Sequence, residues 1–368
     1  MRYAPILFAV SIALAAATKS AASAAPDEPL LIPARTIPLT GVGGPVERNG
    51  IAGRLDHVAY DPATHRLFLA AFARGSLEVV DLDQGALIKS LEGIPQAQGV
   101  AVVPALGSVF VASGGDGKIR SFDTKTLQQR GSVFAVADAD NMRFDQRSGR
   151  VWVGGGSPKA GAVLAFDPAT LARITQLPLP AHAESFQVDP DGPRMFINVP
   201  GAKTADNAGS VVVADREKGI ILATWTLAGA ARNFPMALDL SHGRIFVVSR
   251  KPPQLIALDD STGRVLAAAP CAADCDDIGY DPKTNRIYLI GGGRRVNDGA
   301  GQSVERDQPG SLDVFALSDR EKISKIGSVA LPPHARTGLF VPSRRAIYVA
   351  VPVQAEKSAE LLEFQVKD

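Results

Sequence analysis

Cysteine is almost missing from this chain: Cys271 and Cys275 are the only two among 368 residues. A disulfide framework therefore cannot hold the fold, and the pair can form at most one local staple. Neither sign of charge is in excess, since 39 Lys and Arg face 38 Asp and Glu for a formal net charge of +1. That balance supplies no general pull toward nucleic acid or anionic lipid. Beyond the N-terminal stretch, no apolar run approaches the roughly 20 residues that a membrane-spanning helix needs. There is no G-x-S-x-G nucleophile motif, and Gly114-Gly115-Asp116-Gly117-Lys118 carries the Asp-Gly signal of a hairpin, not of a phosphate loop. Gly154 to Gly156 and Gly291 to Gly293 likewise read as turns.

What is present starts with an export signal. Arg2 supplies a charged end, Ile6 to Ala17 an apolar run, and Ala22-Ser23-Ala24 an A-x-A cleavage site. Residues 1–24 are thus expected to be removed, leaving 25–368 as one soluble, monomeric domain in the periplasm or outside the cell. In that oxidising compartment a Cys271–Cys275 disulfide is the default expectation. Two thiolates at C-x3-C spacing can also close on a copper ion, and two free thiols are the third alternative.

The mature region repeats one pattern seven times. Its first copy runs His57 to Ala70, Gly75 to Asp81 and Gly85 to Leu91, alternating strands with turns. With Asp61 as position zero, the equivalents are Val103, Asp145, Asp189, Asp239, Asp281 and Val341. Seven residues later stand Phe68, Phe110, Trp152, Phe196, Phe246, Tyr288 and Tyr348, suited to packing between wedge-shaped sheets. Third strands end at Asp81, Asp123, Asp167, Asp215, Asp259, Ser318 and Gln365, where Asp can bond the backbone of the next turn. Successive zero positions lie 42, 42, 44, 50, 42 and 60 residues apart, the range of a four-stranded propeller blade. Insertions at Pro200–Ser210 and Gly291–Gly310 account for the long intervals.

These features predict an all-β, seven-bladed β-propeller of four-stranded antiparallel blades. The seventh copy stops after its third strand, and the segment Leu31 to Leu39 resembles the fourth strand Ile326 to Leu331. An N-terminal strand is therefore expected to close the last blade, leaving no open ring edge.

The core Asp281-Pro282-Lys283-Thr284-Asn285-Arg286-Ile287-Tyr288-Leu289 resembles the YVTN-type repeat of YncE-like exported bacterial propellers. Phe68-Leu69-Ala70-Ala71, Phe110-Val111-Ala112-Ser113 and Tyr348-Val349-Ala350-Val351 stand where that family has Tyr-Val-Thr-Asn. The resemblance implies the same fold and, across such propellers, binding proteins and lactone-processing enzymes. Nucleic acid binding, which one branch would imply, needs a basic face with stacking aromatics. Here Arg294-Arg295 is diluted by Asp298, Glu305 and Asp307, so nucleic acid is not the expected partner.

Loops that lead into the innermost strands line one mouth of a propeller channel. Seven positions before zero stand Arg54, Gln96, Asp138, His182, Arg232, Asp274 and His334; five before, Asp56, Gln98, Asp140, Glu184, Phe234, Asp276 and Arg336. Small residues dominate between them, with Leu55 and Asn233 as the larger exceptions and Cys275 beside them, and position minus four adds His57, Asn141 and Asp277. Strand-like alternation would aim the polar sets together. A water-filled mouth needs some polar lining regardless, and Asp and Asn also form turns. The side chains nevertheless differ from blade to blade, as an asymmetric site requires. The candidate binding set is therefore Arg54, Asp56, His57, Gln98, Asp138, Asp140, Asn141, His182, Glu184, Asn233, Asp274, Asp276, Asp277, His334 and Arg336.

Crowded carboxylates favour a cation. A Ca²⁺ site of Asn141, Glu184, Asn233 and Asp276 is what a likeness to the mouth of gluconolactonase-like propellers implies. A transition metal on His57, His182 and His334 with a carboxylate is the other reading, as three of the five histidines fall in this ring. Two functions follow as expectations. One is an exported binding or interaction protein that takes a small polar ligand, a cation or a partner's loop. The alternative is a metal-assisted hydrolase of a small ester or lactone, with Asp, Glu or His acting on water. An accessory role in a redox or metal-handling system is the third.

Overall fold

The computed structural model describes residues 1, 29–44, 53–201, 208–293, 308–354 and 357–368. Arg2, the run Ile6–Ala17 and Ala22-Ser23-Ala24 lie outside the described residues, as do the middles of both insertions with Arg294, Arg295, Asp298, Glu305 and Asp307. Seven four-stranded antiparallel sheets form a ring, in the predicted propeller. Blade 1 consists of Val58–Asp61, Arg66–Ala71, Ser76–Asp81 and Ala86–Glu92, in that spatial order. The first strand of each blade touches the first strand of the next, and the seventh, Thr337–Val341, returns to Val58–Asp61. First strands therefore surround the axis, while fourth strands such as Gln129–Phe134 and Ile220–Thr226 alternate toward solvent. Among the described residues no helix is long and apolar enough to cross a membrane.

Closure occurs as expected. Leu31–Pro38 pairs antiparallel with Glu360–Val366 and becomes the outer strand of blade 7, with Leu31 facing Val366 and Ile37 facing Leu361. Leu31, Ile37 and Leu39 are buried there. All seven aligned aromatics, from Phe68 to Tyr348, are buried in the second strands. Clusters such as that of Phe68 and Ala70 with Val100 and Val109 join the sheet of one blade to the next.

The repeat's Asp and Arg also act between blades. Asp61, Asp145, Asp189 and Asp281 each accept a backbone N–H two residues on, while blades 2, 5 and 7 use short 3₁₀ turns at Pro104–Leu106, Leu240–His242 and Pro342–Arg344. In blades 1, 4, 5 and 6 the Arg five residues after zero reaches the backbone or side chain at or just beyond the end of the third strand of the following blade. Arg66 donates to the Thr124 carbonyl, Arg194 to Asp260, Arg244 to the Asp319 carbonyl and Arg286 to the Lys367 carbonyl. In blade 6 the turn-forming Asp is Asp319, whose Oδ1 accepts the Glu321 N–H, one residue beyond the Ser318 expected from the alignment.

Two local expectations are corrected. Gly154 to Gly156 are not a turn but the end of strand Arg150–Ser157. A Cβ on Gly155 would stand 2.4 Å from the Asp138 carbonyl oxygen, so glycine here admits the incoming loop against the strand. Cys271 and Cys275 form no disulfide; both are free thiols whose Sγ atoms approach the one Ala272 carbonyl, at 3.4 and 3.1 Å. Cys275 is fully buried in the first strand of blade 6, where burial, then the Cys271 thiol, raises its pKa well above the ordinary thiol range.

Candidate functional site

One mouth of the ring holds a cavity of about 760 Å³. Its walls come from two kinds of loop that share this face: those entering each first strand, and those joining second to third strands. Of the sequence candidates, Arg54, Asp56, His57, Gln98, Asp138, Asp140, His182, Glu184, Asp276 and Arg336 line it. Residues six before zero, from Leu55 to Ala335, are all buried, as their small size suggested. The strand-like alternation is broken one residue earlier. Gln96, Asp138, Arg232, Asp274 and His334 adopt left-handed φ of 49° to 65° and turn the chain sharply into the mouth.

Five candidates stand elsewhere. Asn141 and Asp277 sit behind His57, and Asp277 also accepts the Gly338 N–H at 2.9 Å. Asp274 lies under Arg250 and Arg336. His334 lies outside the lining, its backbone N–H donating to the Gly292 carbonyl at 2.8 Å. Asn233 is fully buried and donates to Asn198 Oδ1 and the Ser210 carbonyl, while its own oxygen faces Gly209.

Sequence reasoning missed Phe72 and Arg250, both in the lining. They share a position, eleven residues after zero, at the end of the second strand. The other blades carry Gly114, Gly156, Pro200, Gly292 and Pro352 there. A large side chain at a position otherwise held by Gly or Pro was the available signal. Gln96, Arg232 and Phe234 also line the cavity.

The mouth divides by charge. On one side Arg250 pairs with Asp274 at 3.1 Å and with Asp276, and its Nε–H donates to the Cys275 carbonyl. Arg336 meets the same two carboxylates, at 3.3 Å to Asp274 and 2.7 Å to Asp276. Burial opposes ionisation of Asp276, but Arg250 and Arg336 overcome it and hold its pKa well below the usual range. These four side chains satisfy one another. Arg54 pairs with Asp56 at 2.7 Å and lies 4.0 Å over the Phe72 ring, and Arg250 lies 3.8 Å over Phe234.

Across the mouth the carboxylates crowd instead. Burial and the neighbouring Asp140 push Glu184 up to about 8, while burial also raises Asp138 and Asp56. His182 donates Nδ1–H to the Gly156 carbonyl at 3.1 Å and turns Nε2 toward Asp140 Oδ2 at 3.4 Å and Glu184 Oε1 at 4.0 Å. His57 directs Nδ1 to Asp277 at 3.4 Å and Nε2 toward Asp56 Oδ1 at 3.6 Å. Burial alone would lower both histidines, but the surrounding carboxylates raise each to about 10.

The Ca²⁺ set Asn141, Glu184, Asn233 and Asp276 does not fit this geometry. Both oxygens of Asp276 are held by arginines, and the Asn233 side chain bonds into blade 4 away from the cavity. The structure instead gathers Asp56, His57 and Asp140, and separately Asp140, His182 and Glu184, each set with its donor atoms within 4.8 Å of one another.

No protein-family model and no curated protein matches the chain. Its fold is similar to solved structures at low identity. A Kuenenia stuttgartiensis hydrazine synthase chain superposes with a TM-score of 0.69 at 13% identity, over 84% of this chain and 93% of that one. A chain of the mitotic checkpoint complex gives 0.68 at 14% identity over 97% and 99%. The RRP9 WD40 repeats give 0.68 at 9% identity over 90% and 99%. At such identities the likeness establishes the seven-bladed β-propeller fold alone.

Proposed function

We propose that this protein is an exported, monomeric propeller of the YncE-like type, cleaved after Ala24 and folded as one domain over 25–368, which binds a small polar ligand in the funnel mouth. The cavity carries the reading. At about 760 Å³ it lies within the size of small-molecule sites. One wall offers arginines stacked on Phe72 and Phe234, and the other a crowded set of carboxylates and histidines. A ligand with an anionic end and hydrogen-bonding groups would meet Arg54 on one side and His182 on the other. Export is supported by Arg2, the apolar run after it and the A-x-A site.

The test is a calorimetric and thermal-shift screen of small polar carboxylates, sugar acids and amino acids against chelator-treated protein. A hit should be weakened at least tenfold by Arg54→Ala or Phe72→Ala with circular dichroism unchanged. A hit that binds both variants as tightly as wild type lies elsewhere and removes the reading. Arg336 is unsuited to this test, because its guanidinium is locked to Asp274 and Asp276 and its loss would disturb the frame.

A further inference from the structure

The geometry points to a pair of divalent transition-metal ions in the carboxylate wall of the mouth, with Asp140 shared between them. This goes beyond the small-ligand reading and shares His182 of the same cavity with it. The first set is Asp56, His57 and Asp140; the second is Asp140, His182 and Glu184. Blades 1, 3 and 4 contribute these residues, so the finished ring assembles the site.

Both histidines are oriented as ligating histidines are. A metal-binding imidazole usually gives its other N–H to a carboxylate or backbone carbonyl, which fixes the tautomer and aims the free nitrogen. His182 does this through Nδ1 to the Gly156 carbonyl at 3.1 Å, and His57 through Nδ1 toward Asp277 at 3.4 Å. His182 leaves Nε2 facing its carboxylates, and His57 turns Nε2 toward Asp56 and the Asn141 amide nitrogen. Those Nε2-to-oxygen separations are 3.4 and 4.0 Å around His182 and 3.6 Å between His57 and Asp56. Two donors about 2.0–2.1 Å from a tetrahedral zinc ion stand about 3.3 Å apart, so small side-chain shifts would close either set.

Asn141 supplies an independent observation. It is 2% exposed and its Oδ1 has no hydrogen-bond partner, while its Nδ2 lies 2.8 Å from His57 Nε2, so a half-turn of the amide would bring Oδ1 beside that nitrogen. A buried amide without a full set of partners beside a ligating nitrogen suits an extra oxygen donor for the first ion. Imidazole nitrogens with carboxylates favour Zn²⁺ or Mn²⁺ over Ca²⁺, which takes oxygen ligands. Two divalent ions would also neutralise the three carboxylates that otherwise crowd one another.

The full chain, stripped with EDTA and dialysed, is titrated with Zn²⁺ by calorimetry, then desalted and its zinc measured by emission spectroscopy. Two ions per chain are expected, and a tenfold excess of Ca²⁺ should not displace them. Asp140→Asn should lose both ions. His57→Asn and His182→Asn should each lose one, and their combination both, which carries the test if Asp140→Asn fails to fold. Wild type with no zinc means that protons alone hold the network, and one ion means no shared pair; either overturns the inference. So do two ions that survive both histidine changes. Binding of polar ligands is measured in the metal-free protein, so failure here is separable from failure of the small-ligand reading.

Discussion

Both ends of this propeller are rich in Asp and Arg, yet the two ends treat them oppositely. At the end made of the turns within each blade, the Asp residues that close the third strands have assigned work. Asp81, Asp123, Asp167, Asp215 and Asp259 each accept two backbone N–H groups of the turn that follows. Burial opposes ionisation of Asp145, Asp239 and Asp281, but Arg216, then His242 with Arg244, and Arg345 overcome it and hold each carboxyl below its ordinary range. At the mouth, carboxylates outnumber such partners on one wall, and Glu184, Asp138 and Asp56 are pushed up. The first end is a frame and the second is poised for an exchangeable partner. The knot of Arg250, Arg336, Asp274 and Asp276 is a piece of frame inside the mouth.

The deepest break of the frame is removal of its closing strand. Deleting residues 30–40 exposes the edge Glu360–Val366 and the apolar surface that Leu31, Ile37 and Leu39 cover. We expect loss of the cooperative melt and self-association through that edge, read by calorimetry and light scattering. A monomer with unchanged melting temperature would contradict closure.

Next in size is a matched pair of substitutions across the two ends. Arg244 is 1% exposed and donates to Asp239 at 2.7 Å, the Asp319 carbonyl and Asn285. Arg244→Ala strands a buried carboxylate and should cost about 3–5 kcal/mol in urea unfolding. Glu184→Gln at the mouth should not destabilise the metal-free protein near pH 7, because it replaces a carboxyl whose ionisation burial and Asp140 oppose. Equal costs would erase the distinction between the ends.

Much of this contrast was legible in the sequence, and the illegible part has a physical cause. The seven aromatics, the turn-forming Asp residues and the closing strand are local, periodic signals, and the structure keeps them with one shift, from Ser318 to Asp319. The loops into the first strands were found the same way. What position counting could not show is which charges meet across blades. Asp276 looked like a ligand until Arg250 and Arg336 were seen on it, and Asn233 pointed into blade 4. The glycines at 154–156 read as a turn because the loop that needs their missing side chains lies in a different part of the sequence.

The two ends should also govern opposite limbs of the pH–stability curve of metal-free protein. Glu184, at about 8, holds a proton in the fold that the unfolded chain releases near its ordinary 4.5, so stability falls as pH rises between those values. His57 and His182, raised from 6.5 to about 10, stabilise the fold fully below 6.5 and lose that contribution on the way to 10. All three windows overlap between pH 6.5 and 8, where each group contributes a slope of up to about 1.4 kcal/mol per pH unit. The frame acts on the acid side. Its lowered carboxyls give stability that is present above about 4 and is lost as pH falls below that value. Glu184→Gln should therefore flatten the curve from 4.5 to 6.5, lessen its slope from 6.5 to 8 and leave the acid limb untouched. An acid limb that moves with Glu184→Gln would show the two ends to be coupled.

The smallest expected effect is at Phe72, and it isolates the mouth from the frame most cleanly. Its ring carries Arg54 at 4.0 Å, an interaction worth about 0.5–1 kcal/mol at a partly exposed site. Five of the other blades build the same position with Gly or Pro, so the fold does not require a side chain there. Phe72→Ala should shift unfolding by no more than about 1 kcal/mol, while Arg54 loses the platform that holds it beside Asp56. Ligand affinity should then fall by more than stability does. A melting temperature that drops as far as in Arg244→Ala would make Phe72 part of the frame and move the boundary between the two ends into the mouth.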